Sequence, residues 1–215
     1  MSSHHIVRDE QEPALFIQQL HAVPSERLGH LLEWSPTVMI TSDQVDQALG
    51  RGFKVDVVLC HRQELEALRS KLLHQVPIHF LTIPRYEESI PRGLDYLVAS
   101  KYKAVYLVTN FSTQLVKRLS FHLTSMQVTI IDGDFKWYFV DRKFKKWGPP
   151  GQVFRTMTKG LRVKIEPTPN VKWEKGYFEF SPKQEGFVEV GSSKPFWLGE
   201  KIIGPQSPDN PIFTV

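Results

Sequence analysis

Cys60, His61 and Arg62 stand together inside the stretch VDVVLCHRQEL, residues 55–65. A thiol, an imidazole and a guanidinium in a row suggest three chemistries: a metal site, a nucleophile with its base, or a grip on phosphate. Val55 to Leu59 reads as a buried strand, so the trio falls at a strand tip. Successive residues of an extended segment point to opposite sides, which separates Cys60 from His61. A thiol nucleophile needs its base within hydrogen-bond reach, and that pairing fails for the same reason. Cys60 is the chain's one cysteine, so neither an internal disulfide nor a cysteine-rich zinc site is available. It reads as a buried strand-end residue. His61 and Arg62 remain as an anion grip, because they precede a helix and helix N-termini attract anions. Arg85, at the neighbouring strand tip, would extend the same cluster.

The acidic candidates have ordinary roles beside their chemical ones. Glu87 and Glu88 open a helix, where carboxylates favour the macrodipole, and a capping role is set against a catalytic one. Asp43 either caps the helix that follows Ser42 or faces a ligand. Asp56 marks the start of a strand. Asp132 and Asp134 resemble a metal pair, but Asp132-Gly133 between two β-rich runs is a strong hairpin signal. The run DRKFKKW, residues 141–147, interleaves cations with rings, a pattern that can track a phosphate backbone while the rings stack on bases. The run is short and the chain's net charge is only +4, so nucleic acid is not the expected partner. Trp137, Tyr138, Trp147, Trp173, Phe196 and Trp197 are many aromatics for a small β-domain, and some belong to its core.

These residues need elements to hold them. Apolar positions at helical spacing run through residues 14–34, with Ser25 as a helix cap. Strands are expected at 37–41, 55–60, 78–83, 104–109 and 128–132, with helices at 43–50, 64–74, 89–100 and 113–123. This alternation predicts an α/β fold: a Rossmann-like parallel sheet with helices on both faces. After residue 132 the chain becomes β-rich, punctuated by glycine and proline, as in a small all-β sandwich. The division expected is a helical extension over 1–35, an α/β nucleotide-binding-like domain over 36–142 and a β-sandwich over 143–215.

The chain has 215 residues, 41% of them hydrophobic, so it can bury a core and is not globally disordered. One cysteine fits a cytoplasmic setting. The polar stretch MSSHHIVRDEQEP lacks the apolar core of a signal peptide, and His4 and His5 in it read as part of a disordered end. No apolar run approaches the roughly 18 residues of a membrane helix, so no membrane partner is expected.

A parallel α/β domain followed by a β-domain, with these residues at its strand tips, resembles the thiamine pyrophosphokinase family over roughly residues 36–200. ITSDQVDQALGRGFKVD sits where the family has an Asp-Gly-Gly turn and then Pro-Asp. Asp43 matches the first aspartate, and Val55-Asp56 stands for Pro-Asp. TMTKGLRVKI matches the family's Thr-x-Gly-Leu-x-Tyr signature at Thr158, Gly160 and Leu161, with Val163 in place of the aromatic. Ser181, in FEFSPK, corresponds to the serine of a Ser-Asn pair near the thiamine pocket. Cys60 to Glu64 fall on Gly-Asp-Phe-Asp-Ser, with His61 and Gln63 in place of both aspartates. A second acidic motif falls on Arg85 to Ser89, where Tyr86 and Ser89 replace aspartates and Glu87 and Glu88 stand beside them. The family's Gly-Gly-Arg-x-Asp-His loop falls near residues 109–113 and is not recognisable.

Family members transfer a diphosphate from ATP with magnesium. Magnesium wants carboxylates and phosphate oxygens in an octahedron, and such transfer is mainly positioning and charge neutralisation. His61 and Gln63 cannot supply the missing charges. The resemblance therefore implies a divergent member that binds a small phosphorylated or aromatic ligand without the family's catalysis. Its phosphate contacts would be Asp43, His61, Arg62, Arg85 and Asn110, and its thiamine-like pocket Trp173, Ser181 and Trp197. The alternative is an active ATP-dependent thiamine diphosphokinase whose magnesium site is rebuilt from Asp43, Glu64, Glu87 and Glu88. Magnesium and ATP are cofactors on that reading only, and no catalytic residue is assigned on the first. A structural or nucleic-acid-binding module is the third reading. A homodimer is expected by analogy.

Overall fold

The computed structural model describes residues 12–33, 37–84, 88–158, 161–165, 170–174 and 176–202. Contacts divide the chain into two units, Met1–Gly133 and Asp134–Val215.

The first unit holds six strands: β1 Ala14–Ile17, β2 Val38–Thr41, β3 Val57–His61, β4 His79–Ile83, β5 Ala104–Val108 and β6 Gln127–Asp132. Every pairing among them is parallel, in the order β4-β3-β2-β1-β5-β6. Between them run α1 Ser25–Leu32, α2 Val45–Gly50, α3 Leu65–Lys71, α4 Ser89–Ala99 and α5 Thr113–Leu119. The alternation after residue 36 is as the sequence predicts, a mixed α/β arrangement built on a parallel sheet.

The first segment is not. Residues 14–17, expected in a helix, form the strand at the centre of the sheet. All four side chains of ALFI are fully buried. A four-residue apolar run buried on both faces carries no periodicity, and its composition suits a helix equally well. Ser25 does begin a helix, but it is the first helical residue. Pro24 occupies the cap position, and no side-chain cap bond forms there.

Helices lie on both faces of this sheet. Leu15, Ile17, Ile40, Val58 and Cys60 share one core with Leu28 of α1, Val45 and Ala48 of α2, and Leu68 of α3. Phe16 and Met39 point the other way, toward α4. A Cβ added at Gly93 of α4 would lie 2.5 Å from the Phe16 ring and 3.1 Å from the Met39 sulfur. Glycine is what lets the α4 backbone approach β1 so closely.

The second unit is all β among its described residues: β7 Phe135–Val140, β8 Lys143–Gly148, β9 Phe154–Thr156, β10 Arg162–Ile165, β11 Asn170–Glu174, β12 Tyr177–Ser181, β13 Gly186–Gly191 and β14 Phe196–Lys201. They pair antiparallel in two groups, β11-β12-β9-β14-β7 and β10-β13-β8. One apolar cluster joins the groups. Val140, Phe154, Phe180, Phe196 and Leu198 come from the first, Phe144, Val188 and Val190 from the second. Phe144 meets Phe154 edge-on at 5.8 Å between ring centres. The expected turn at Asp132-Gly133 is present, with Gly133 at φ 57, a left-handed conformation that glycine adopts without steric cost.

Among the described residues no helix is long and apolar enough to cross a membrane.

Candidate functional site

Six parallel strands bring their carboxyl ends to one edge of the first unit. β1 has β2 on one side and β5 on the other, so the chain order reverses there. Such a switch point opens a crevice at the strand tips, where ligands of open α/β sheets bind.

The tips on both sides of β1 are tied by side-chain amides. The backbone N–H groups of Gln18 and Gln19 donate to the Val108 carbonyl at 3.0 and 3.1 Å. The Thr109 hydroxyl lies 2.6 Å from Gln18 Oε1, and the Asn110 N–H donates to Gln19 Oε1 at 3.0 Å. On the β2 side the Leu20 N–H donates to Gln44 Oε1 at 2.8 Å, and Gln44 Nε2 donates to Asp43 Oδ2 at 2.7 Å. The Phe111 N–H donates to Asp132 Oδ2 at 2.9 Å, so Asp132 holds this loop. Thr41 ends β2 with its hydroxyl buried and without a hydrogen-bond partner among the described residues. The amide network links Asp43 and Asn110, both expected at the site, through Gln18, Gln19 and Gln44, which the sequence pattern does not single out. A helical reading of residues 14–17 hides them. The available signal is a Gln-Gln pair directly after a short apolar run.

The tips of β3 and β4 flank a cleft that carries Arg62. His61 ends β3, and a short 3-10 turn over Arg62–Glu64 leads into α3. The His61 N–H donates to Glu64 Oε2 at 2.7 Å, and the Ser42 hydroxyl donates to the same carboxylate at 3.1 Å. Glu64 thus folds back as a cap on its own turn. His61 Nδ1 lies 3.3 Å from the Ile83 carbonyl. His61, Arg62, Gln63, Ile83 and Pro84 line an open cleft of about 420 Å³. Arg62 is exposed at this cleft, with no ion pair among the described residues. Cys60 is fully buried. Burial, and then the charge of Glu64, push its thiol above the usual range, with Arg69 opposing. The neutral thiol is a poor nucleophile, as its strand-end position suggests.

Two capping expectations are corrected. Glu88 stands at the cap position of α4 but makes no side-chain cap bond; it pairs with Arg118 Nε at 3.1 Å. Asp43 bonds the Gln44 side chain instead of capping the helix. Arg85 and Glu87 lie outside the described residues, as do His4, His5 and Gly160.

The described residues do not form a magnesium site. Among the described residues no three of His, Cys, Asp and Glu gather closely enough to hold a metal ion. Asp43 and Glu64 stand on neighbouring tips, but Glu64 is committed to His61 and Ser42, and Glu88 to Arg118.

The expected aromatic pocket is spread across the second unit. Trp173 pairs with Phe178 and lies on the core side of its sheet, yet it is 55% exposed because β11 ends the strand order. Ser181 and Trp197 lie on the opposite face. Glu179 and Gly199 both stand opposite Arg155; Ser181 falls beyond Glu179 in one direction and Trp197 beyond Gly199 in the other. The three residues do not converge.

No family model and no curated protein sequence matches this chain. Solved structures do. Thiamine pyrophosphokinase from Bacillus subtilis matches with a TM-score of 0.60 at 8% identity, covering 89% of this chain and 100% of that one. The enzyme from Geobacillus thermodenitrificans matches at 0.61 and 10% identity, covering 90% and 99%. Thiamin pyrophosphokinase from Candida albicans matches at 0.55 and 9% identity, covering 91% and 90%. The chain is similar to these proteins in fold.

Proposed function

We propose that the protein is a divergent thiamine-pyrophosphokinase-like binder, a Rossmann-like unit followed by a β-sandwich. It holds a small phosphorylated or aromatic ligand at the strand tips of the first unit. The observation that carries this reading is the state of Glu64. Glu64, the carboxylate beside this cleft, is turned back onto the His61 N–H and the Ser42 hydroxyl. What faces the cleft is His61, Arg62 and Gln63, a guanidinium with further polar groups that suits an anion without a metal.

A second reading keeps one supporting observation. Asp43 and Glu64 sit on adjacent tips, with Ser42 bonded to Glu64 beside Asp43, and would be the starting pair of a rebuilt magnesium site in an active diphosphokinase. Incubation of the purified protein with thiamine, ATP and magnesium, read by mass spectrometry, separates the two. The binder reading expects no thiamine diphosphate above a no-protein control. Product that disappears with a chelator overturns it.

A further inference from the structure

The side of the β10-β13-β8 sheet that faces away from its core is a basic lattice ending in two rings. The register puts Arg162, Gly191 and Lys143 in one row, and Lys164, Glu189 and Lys145 in the next. Phe187 and Trp147 then stand opposite each other. Phe144, Val188 and Val190 point inward to the core, so the alternating residues of these rows share the outer face. Trp147 and Phe187 meet edge to face at 5.1 Å between ring centres and keep about half their surface open, 53% and 52%. Lys145 lies 4.6 Å from the centre of the Phe187 ring. Arg142, Lys143, Arg162 and Lys164 line a cleft of about 540 Å³ at the far end.

We propose that this face binds single-stranded nucleic acid: Lys143, Lys145, Arg162 and Lys164 neutralise its phosphates, and Trp147 and Phe187 stack on its bases. The linear run DRKFKKW is too short to argue this. The fold lengthens it by placing two further cations and a second ring beside it. Glu189 lies among these cations, lines the same cleft, and pairs with Lys145 at 2.7 Å and Lys143 at 3.8 Å, pairs that a phosphate would displace. A hydrogen bond from Lys145 and the charges of Lys143, Lys145 and Lys164 hold its carboxyl below the usual range.

A cationic groove with exposed rings along it is how proteins hold unpaired strands without sequence preference. Duplex bases are already stacked and offer the rings nothing. A second copy seated by two-fold symmetry would set cations against cations. A membrane surface calls for a broad apolar face, and here the rings occupy one end only.

The test is fluorescence anisotropy of a labelled oligothymidylate against the full-length protein over a salt series. Binding at low salt should fall with a log–log slope of roughly −2 to −3, about 0.7 for each phosphate contact. Arg162→Gln should lessen the slope by about 0.7. Trp147→Ala should weaken binding roughly ten-fold while leaving the slope in place. Both positions are exposed, and either variant that keeps the wild-type circular dichroism decides the matter. The proposal is overturned by no binding at low salt, by a Trp147→Ala variant that binds like wild type, or by equal affinity for a duplex. Binding to phosphatidylserine vesicles without binding to the oligonucleotide also overturns it, as does loss of self-association in these variants.

Discussion

Glu64 separates the functional readings at the level of single side chains. Its carboxylate caps the turn that follows β3, bonded to the His61 N–H and to Ser42. Removing a cap costs about 1 kcal/mol, so Glu64→Ala should lower urea-unfolding stability by about that much. It should leave ligand affinity at the His61–Arg62 cleft nearly unchanged. In the rebuilt-metal reading the same variant loses turnover instead. His61, Arg62 and Asp43 are legible because a strand pattern followed by a helix pattern marks a tip. The amide network is not. Gln18 and Gln19 matter only once β1 is known to lie beside β5, and sequence adjacency says nothing of strand order. The same blindness scatters Trp173, Ser181 and Trp197: β9 comes between β12 and β14 in space, and the two sides of a pleat alternate with every residue.

At the level of elements, the close contact of α4 on β1 is the sharpest constraint in the first unit. The Phe16 ring is fully buried and has no room to swing away from a new methyl group. Gly93→Ala gains helix propensity of about 1 kcal/mol, but overpacking costs about 1–3 kcal/mol. The 2.5 Å approach to a fixed ring makes the packing cost outweigh the gain. The variant should unfold at lower urea than wild type; an increase in stability would contradict the contact. Strands β2 to β6 are legible because each apolar run stands between turn residues and a helix with its own period. Strand β1 has no such frame. A helical pattern follows it within a few residues and absorbs it. In the second unit the Asp132-Gly133 turn and the later glycine and proline punctuation reveal the β character. Which strands pair, and which faces turn inward, depends on contacts far apart in sequence.

For the whole molecule, buried Cys60 and half-buried Tyr106 of the first unit should make stability fall at alkaline pH. Burial pushes the Cys60 thiol up, with Glu64 adding to it. Burial, and then the charge of Glu12, push up the Tyr106 hydroxyl. Both pKa values are raised on folding, so their stabilising share is complete below the unfolded values and is lost as pH rises through the folded ones. Tm should hold steady up to about pH 8.5, the ordinary thiol value, and then decline. In Cys60→Ala the first part of that decline should flatten, and an unchanged pH profile would contradict the assignment. The net charge of +4 understates what the molecule offers to anions, because the fold exposes Arg62 at the β3 tip in one unit and gathers cations on one sheet face in the other.

The central claim is metal-free anion binding at the β3 and β4 tips. The measurement that meets it most directly is a calorimetric titration of inorganic pyrophosphate into chelator-treated protein and its Arg62→Gln variant. A charge-assisted hydrogen bond contributes about 1.5–3 kcal/mol, so binding should persist in the chelator and weaken roughly ten-fold or more in the variant. Binding that appears only when magnesium is restored, or that Arg62→Gln leaves untouched, would contradict the account.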